Sequence, residues 1–280
     1  MTAYKASGNL KKLLTTTKSG RLIPHLERWL MSQQPEPRDY TYLHPSDICK
    51  DNWCQRSAWF QLTGHPYVRE VNQLSRHNMF QEGHLIHAKW QKYFHDMGVL
   101  YGNWTDTDGK TRHSCLGEPD WKYQEVSLED RTIMMRGRSD GWIVGLGDDC
   151  LIEIKSVGIG TLRFESPGLL TSVNSDIDKA WNEIKSPFPS HLRQGQIYLE
   201  LAHRMEKAGE LTRPAPKEIV FIYEYKANQS YKEFVVPYKP EVGDRFMRRA
   251  ERVTEAVRNM TEMECNNNPG GRCSSCVSYE

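Results

Sequence analysis

Two carboxylates and a lysine near the middle of the chain have types and a spacing that could bind a metal ion. Asp140 precedes a segment rich in Gly and Asp (145–149), and Glu153 and Lys155 follow it. The apolar residues beside that segment are Ile143, Val144, Leu151, Ile152 and Ile154. Apolar runs around turn residues predict two short strands joined by a turn. Because side chains at positions i and i+2 of a strand share a face, Glu153 and Lys155 should point the same way.

Carboxylate oxygens beside an ammonium group suggest a site for a hard cation. Mg²⁺ and Mn²⁺ prefer oxygen ligands, keep some of their waters and accept phosphate oxygens as further ligands. An acid and a lysine near the end of a strand can equally form an ordinary solvated or ion-paired surface. The central residues alone leave both interpretations open, so other parts of the chain have to decide between them.

Two predicted helices could position side chains beside these strands. The segment 73–98 ends at a glycine and carries Gly83 and His87 one turn apart. Its apolar residues recur at helical spacing: Met79, Ile86, Trp90, Tyr93 and Met97. The segment 190–209 carries Gln194 and Tyr198, also one turn apart. A single histidine beside an apolar face can be a hydrogen-bonded structural residue as well as a metal ligand, and both remain open for His87.

The chain has seven cysteines with uneven spacing. Three of them, Cys265, Cys273 and Cys276, lie close to the C-terminal end, and two residues separate the last pair. That spacing lets both thiolates reach one metal, and the neighbouring glycines let the backbone wrap around it. With Cys54 the set reaches four, which is enough for a 4Fe–4S cluster or a structural zinc. Cys49 is a second early candidate, although a small buried residue is an equal explanation.

The order of these elements resembles the RecB-like branch of the PD-(D/E)XK nucleases. The closest resemblance is to its members with a cysteine-ligated iron–sulfur cluster, such as exonucleases of CRISPR adaptation and phage recombination. In chain order the motifs are Cys-x-Arg at Cys54 and Arg56, Gly-x-x-x-His at Gly83 and His87, Asp(x12)Glu-x-Lys at Asp140, Glu153 and Lys155, Gln-x-x-x-Tyr at Gln194 and Tyr198, and the late cysteines. Gln55 replaces the usual proline, and Cys265 precedes the closing cysteine pair instead of following it.

The resemblance implies an α/β fold with a PD-(D/E)XK, restriction-endonuclease-like core. We expect a central mixed sheet flanked by helices, an N-terminal helical arm (1–45) and a nuclease domain (46–280). A cysteine-bound metal, here called the metal staple, would join the two ends of that domain. The residues implied for catalysis are Asp140, Glu153, Lys155, Gln194 and Tyr198. The ligands implied for catalytic Mg²⁺ or Mn²⁺ are His87, Asp140, Glu153 and the carbonyl of Ile154. Those implied for the 4Fe–4S cluster, or alternatively for Zn²⁺, are Cys54, Cys265, Cys273 and Cys276.

The implied activity is metal-dependent hydrolysis of phosphodiester bonds in DNA. The simplest form is an exonuclease that acts on single strands or duplex ends in DNA processing, recombination or repair. Such an enzyme could have a recombination or replication protein as partner, or could form a homo-oligomer. The alternatives are a non-catalytic DNA-binding accessory protein, a structure-specific endonuclease and a restriction endonuclease of the same superfamily.

Composition sets further limits. The formal net charge is +1, so contact with nucleic acid must come from local patches. No apolar run approaches the ~20 residues of a membrane-spanning helix, and the first residues lack the apolar core of a signal peptide. We therefore expect a cytoplasmic protein, in the host cytoplasm if it is phage-encoded, with no membrane partner.

The remaining segments predict the surroundings of the site. We expect a helix at 22–31, a strand near 123–128, a hairpin at 217–237 and a helix at 241–263, whose mixed charged face should be solvated. The proline-broken segment 158–189 should be mobile and close to substrate. Glu118 and Glu125 could each approach the metal site.

Overall fold

The computed structural model describes residues 22–32, 39–66, 74–106 and 121–279. Cys115 and Glu118 lie outside these ranges. The chain divides into two units. Among the described residues, the first unit contains helix α1 (Ile23–Ser32) and the start of helix α4 (Leu74–Asp96) as far as Glu82. Everything else belongs to the second unit. The boundary at residue 45 between arm and nuclease domain stays a prediction.

The second unit is an α/β structure in which groups of helices and groups of strands follow one another along the chain. Its other helices are α2 (Pro45–Ile48), α3 (Gln55–Leu62), α5 (Ile159–Glu165), α6 (Pro167–Ser172), α7 (Ile177–Glu183), α8 (Pro189–Lys207), α9 (Pro240–Arg258) and α10 (Ser274–Val277). Its strands are β1 (Leu100–Tyr101), β2 (Asn103–Asp106), β3 (Trp121–Gln124), β4 (Val126–Asp130), β5 (Met135–Ser139), β6 (Gly141–Ile143), β7 (Cys150–Val157), β8 (Glu218–Tyr225) and β9 (Tyr231–Pro237). None of the described helices is both long and apolar enough to cross a membrane.

A five-stranded mixed sheet forms the centre of this unit. The strand order is β1-β6-β7-β8-β9. Strands β7 and β8 are parallel, and the other neighbours in the sheet are antiparallel. Helix α8 approaches β8 closely at Gly195, where an added Cβ would lie 2.6 Å from Cζ of Phe221. The predicted central mixed sheet with flanking helices is confirmed.

Strand β7 is buried on both faces, and its side chains alternate between two apolar clusters. Leu151 and Val157 belong to the larger cluster, which includes residues of α8 and α9. Ile152 and Ile154 belong to a smaller cluster with Ile86 of α4. Glu153 and Lys155 therefore project on the side of α8. They share one face of the strand, as their i and i+2 spacing predicted.

The chain passes from one sheet to another at Asp140. Before it, β5 pairs with β4 in a separate two-stranded ribbon; after it, β6 pairs with β7 and β1 of the central sheet. The Ser139 hydroxyl donates to the carbonyl of Ile152 at 2.8 Å and anchors this crossing point on β7. Gly141 is required there, because an added Cβ would lie 2.8 Å from Cδ1 of Ile152.

Most predicted elements are present, and two need correction. The expected strand near 123–128 is interrupted at Glu125, between β3 and β4. The segment 158–189, expected to be mobile, is folded into helices α5, α6 and α7. Its prolines separate these helices but also begin them: Pro167 opens α6 and Pro189 opens α8. Proline suits the first turn of a helix because its missing N–H would have no intrahelical acceptor there.

Candidate active site

Asp140 is fixed by contacts from two neighbouring elements, β7 and α4. One carboxylate oxygen, Oδ2, accepts the backbone N–H of Ile154 at 2.6 Å. The other, Oδ1, lies 3.2 Å from Nδ1 of His87 on α4. The amide of Gln91 donates to the main-chain carbonyl of Asp140 at 2.8 Å. Burial alone would raise the pKa of Asp140, but His87, Lys155 and the Ile154 N–H together lower it, so this carboxylate stays ionised.

Glu153 is 3% exposed and has one oxygen left without a partner. Its Oε1 accepts from Nζ of Lys155 at 2.6 Å and from Nε2 of Gln194 at 3.0 Å. Its Oε2 is buried and has no hydrogen-bond partner among the described residues. Burial, and then the negative charge of Asp140, raise the pKa of Glu153 to about 7. A buried oxygen with a free lone pair beside a second carboxylate is a position that a cation would stabilise.

A hydrogen-bonded chain connects Lys155 to helix α8. Lys155 Nζ donates to Oε1 of Gln194 at 3.2 Å, and Nε2 of Gln194 lies 2.9 Å from the hydroxyl oxygen of Tyr198. Burial would lower the pKa of Lys155, but Glu153 and Asp140 raise it above its ordinary value. The lysine is therefore an ammonium ion held in place by an amide and a carboxylate. Burial raises the pKa of Tyr198, which stays a neutral phenol.

Glu125 joins this site, although the sequence left its role open. Its carboxylate and the nearest ligand atoms of His87 and Asp140 all lie within 4.8 Å of one another. Burial, and then the charge of Asp140, raise the pKa of Glu125 to about 7. Two carboxylates also act on His87: burial would lower its pKa, but Asp140 and Glu153 raise it. Imidazole nitrogen and carboxylate oxygens are suitable ligands for Mg²⁺ or Mn²⁺.

The sequence-predicted residues are brought together with two differences. Glu153 lies outside the close group of His87, Glu125 and Asp140, and faces Lys155 and Gln194 instead. Ile154 contacts Asp140 through its N–H, and a metal-binding role of its carbonyl stays a prediction. His84, which the helical spacing turns away from the site, is exposed.

A second group of potential ligands consists of the four predicted cysteines. The sulfur atoms of Cys54, Cys265, Cys273 and Cys276 all lie within 4.8 Å of one another. The Cys54–Cys265 and Cys273–Cys276 separations are 3.7 and 3.8 Å, well beyond the ~2.05 Å of a disulfide bond. Burial would raise the pKa of Cys273, but N–H groups of the α10 turn lower it to about 6. The four thiols fit a tetrahedral metal or a cubane cluster.

Cys49 does not belong to this group. It is buried, and burial raises the pKa of its thiol to about 11. Its main-chain carbonyl accepts Nε of Arg193 at 2.6 Å. Of the two interpretations that the sequence left open, a small buried residue describes Cys49 better. Cys115 lies outside the described residues.

Protein contacts also join the two ends of the unit beside the cysteines. The backbone N–H of Gln55 donates to Oδ1 of Asn266 at 2.7 Å, and the Gln55 amide donates to the carbonyl of Glu264 at 3.1 Å. Nε of Arg56 donates to Glu262 at 2.9 Å. Proline at position 55 could make neither Gln55 contact, because it lacks both the N–H and the amide. Glutamine at position 55 therefore has a structural use in this chain.

Comparison with known proteins gives structural neighbours only. No protein-family model matches the chain, and no curated protein matches it. One neighbour is LHK-Exo, an alkaline exonuclease from Laribacter hongkongensis, at 12% identity and a TM-score of 0.41, covering 84% of this chain and 93% of that one. The complex of LHK-Exo with dAMP has 14% identity and a TM-score of 0.42, and the match covers 79% of this chain and 90% of that one. The protein SSO0001 has 13% identity and a TM-score of 0.36, and the match covers 90% of each chain. At such scores, function has to be inferred from the residues of the site.

Proposed function

We propose that this protein is a divalent-metal-dependent nuclease that hydrolyses phosphodiester bonds in DNA, acting as an exonuclease. One observation carries the proposal. The ammonium group of Lys155 is bound to one oxygen of Glu153. The other oxygen of Glu153 is buried, has no hydrogen-bond partner in the described part of the chain and lies near a cluster of two carboxylates and an imidazole. That arrangement suits a cation on one side and a phosphate on the other.

The residues proposed to hold Mg²⁺ or Mn²⁺ are His87, Glu125, Asp140 and Glu153. The donor set fits a hard cation, and the unpaired oxygen of Glu153 supplies an unused ligand position. When bound, the ion would lower the pKa of a water molecule and offset charge on the phosphate. The N–H of Ile154 holds Asp140 in one orientation, so this ligand is positioned before any metal arrives.

Lys155 is proposed to act as a hydrogen-bond donor. Its raised pKa keeps the proton on Nζ, so it cannot serve as a general base near neutral pH. The ammonium group can orient the attacking water or a phosphate oxygen. Gln194 restricts the lysine to one position by accepting from Nζ while its own amide nitrogen bonds Glu153 and Tyr198. Contacts to DNA would be mainly to phosphates, with little sequence selection.

The cysteine group is proposed to hold a 4Fe–4S cluster, with structural Zn²⁺ as the alternative. Either would reinforce the contacts between the two ends of the domain, because Cys54 precedes α3 and the other three cysteines follow α9. Protein purified without oxygen would distinguish the two. Broad absorbance near ~400 nm with bound iron indicates the cluster, whereas colourless protein with one zinc ion indicates Zn²⁺.

The test of the nuclease is digestion of end-labelled single-stranded and duplex DNA with Mn²⁺. The informative variant is Lys155→Met, which keeps the side-chain stem and removes the ammonium group. Lys179→Met is the matched control, because Lys179 is 72% exposed. We expect Lys155→Met to lose cleavage by roughly 10³-fold and still to bind DNA. Full activity of a folded Lys155→Met variant would contradict the proposal. A wild-type protein that binds DNA but cleaves none with any divalent metal would instead be an accessory protein.

A further inference from the structure

Four arginines form a positively charged surface that the proposed active site does not use. Arg193 lies on α8, one residue before Gln194, and Arg245, Arg249 and Arg252 lie on α9. At 100° per residue, the three side chains on α9 leave the helix within an arc of about 60°. Arg245 and Arg252 are exposed and Arg249 is half-buried. These four residues are called the α9 arginine surface.

The positive charges on this surface are poorly compensated. Within the described part of the chain, no carboxylate oxygen lies within the 4.0 Å of an ion pair from Arg245, Arg249 or Arg252. The guanidinium of Arg249 lies 5.0 Å from the ring centre of Phe246. Burial, and then the charges of Arg245, Arg252 and Arg193, lower the pKa of Arg249, and the charge of Asp51 opposes them. Mutual repulsion of this kind would be relieved by a bound polyanion.

Two of the four acidic residues of α9, Asp244 and Glu251, bind elsewhere. Asp244 lies 3.6 Å from Arg248 and 3.9 Å from Arg204, and Glu251 lies 3.4 Å from Arg204. Arg204 belongs to α8 and also binds Glu200 at 2.9 Å. The fold therefore draws these carboxylates towards Arg204 and leaves the arginines on the neighbouring flank of α9.

Arg193 connects the α9 arginine surface to the active site. Its Nε donates to the carbonyl of Cys49 at 2.6 Å, and its Nη2 lies 3.1 Å from Asp51. The Cys49 thiol is close enough to both Lys155 and Arg193 to feel their charges. Beside Arg193 lies a recess of about 230 Å³, whose polar lining residues are Lys50, Asp51, Asn52, Glu165, Ser190 and Arg193. Lys155, Arg193 and the arginines of α9 thus form a series of positive groups from the reacting end of the site to α9, in which Arg193 is paired with Asp51.

We infer that the α9 arginine surface binds the sugar-phosphate backbone of the DNA strand whose scissile phosphate lies at Lys155. This inference rests on the proposed function and adds a path for the strand outside the active site. Guanidinium groups bind phosphate through paired N–H donors. Such contacts are independent of base sequence and release counterions. The binding constant therefore falls with salt concentration, and the slope of log K against log salt is proportional to the number of contacts. An acidic protein surface is the competing partner, and the test below separates the two.

The test is DNA binding by fluorescence anisotropy over a range of salt concentrations, in EDTA so that a metal-dependent nuclease leaves the DNA intact. The variant is Arg245→Gln with Arg252→Gln, which removes two exposed charges. The control is Arg131→Gln with Arg258→Gln, which removes two exposed charges near the other end of α9, where Arg258 contacts the carbonyl of Thr132. The slope of log K against log salt should fall by about 1.8 for a duplex, or about 1.4 for a single strand, in the first double variant only.

Each other result has a definite meaning. An unchanged slope in the first double variant overturns the inference and leaves an acidic protein as the better partner. Equal losses in both double variants also overturn it, because only net charge would then matter. The inference is also overturned if the wild-type protein binds no DNA. Hydrolysis of bis-p-nitrophenyl phosphate by the wild type with Mn²⁺ is followed separately. If the wild type hydrolyses none of this ester but the salt slopes change as expected, the proposed nuclease activity is rejected and the DNA-binding surface is retained.

Discussion

A single methyl group at Gly137 should disturb the active site without touching any charged residue. Gly137 lies on β5, where an added Cβ would be 2.5 Å from Cε1 of Tyr198 and 2.7 Å from Cγ of Pro45. Carbon atoms in contact prefer about 3.5–4.0 Å, so the ring of Tyr198 would have to retreat by roughly 1 Å. That shift would stretch its 2.9 Å contact with Gln194 beyond hydrogen-bonding distance.

The size of the effect follows from these contacts. Forcing an extra carbon into a packed core costs about 1–3 kcal/mol, and the lost hydrogen bond costs about 1 kcal/mol more. We therefore expect Gly137→Ala to lower the free energy of unfolding by roughly 2–4 kcal/mol. Gln194 also orients Lys155 and Glu153, and a displacement of ~1 Å in a catalytic group can cost about 10²-fold in rate. DNA cleavage with Mn²⁺ should fall by that order in protein that is still folded.

Denaturant unfolding and cleavage rates measure the two effects, with Gly160→Ala as the matched control. Gly160 lies in α5 and has no atom within 4 Å of an added Cβ, so its alanine variant should be neutral or slightly more stable. If the effect on rate passes through the Tyr198 hydroxyl, adding Tyr198→Phe to Gly137→Ala should cost little further activity. Equal stability and activity of the two alanine variants would refute the steric argument.

Three further predictions concern a titrating group, a metal ligand and the cysteines. Burial, and then Lys155, lower the pKa of His191 to about 2. Below pH ~6.5 the unfolded chain binds a proton at this histidine and the folded chain does not. As the pH falls, the free energy of unfolding of the wild type should therefore decrease by about 1.4 kcal/mol per pH unit more than that of His191→Gln. Glu125→Gln should raise the Mn²⁺ concentration for half-maximal cleavage by roughly tenfold, about 1.4 kcal/mol, while the exposed Glu233→Gln leaves it unchanged. Cys273→Ser should lose bound iron or zinc and lower the melting temperature, whereas Cys49→Ser keeps its metal; metal analysis and thermal melts check both.

Sequence reasoning succeeded where the decisive contacts are local. Glu153 and Lys155 are two residues apart on one strand, and Gln194 and Tyr198 are one turn apart on one helix, so the period of each element brings each pair together. His87 and Asp140 lie 53 positions apart in the sequence, so their contact could be expected only from the order of the motifs. Its presence depends on α4 lying over the point where the chain leaves the β5 ribbon.

Glu125 shows why part of the site could not be predicted. The sequence predicts one continuous strand near 123–128, and the interruption at Glu125 arises because β3 pairs with β2 while β4 pairs with β5. Helix α4 shows a related limit. Ile86 is buried and Trp90 half-buried, whereas Tyr93 and Met97 on the same stripe are 51% and 58% exposed. The periodicity identified the apolar face of the helix, but it could not predict how much of that face is covered by the rest of the protein.

The charges of α9 were expected to form a solvated mixed face, and the fold sorts them instead. Asp244 and Glu251 form ion pairs with Arg204. They offset positive charge in the net charge of the chain, but they do not offset the positive charges around Arg249. Within the site the balance is reversed, because Asp140, Glu153 and Glu125 face Lys155 and His87. A DNA strand would therefore be attracted to α9 and repelled by the carboxylates. A divalent cation among those carboxylates removes the repulsion where hydrolysis must occur, so the same electrostatics that favour binding to DNA without metal make cleavage depend on metal.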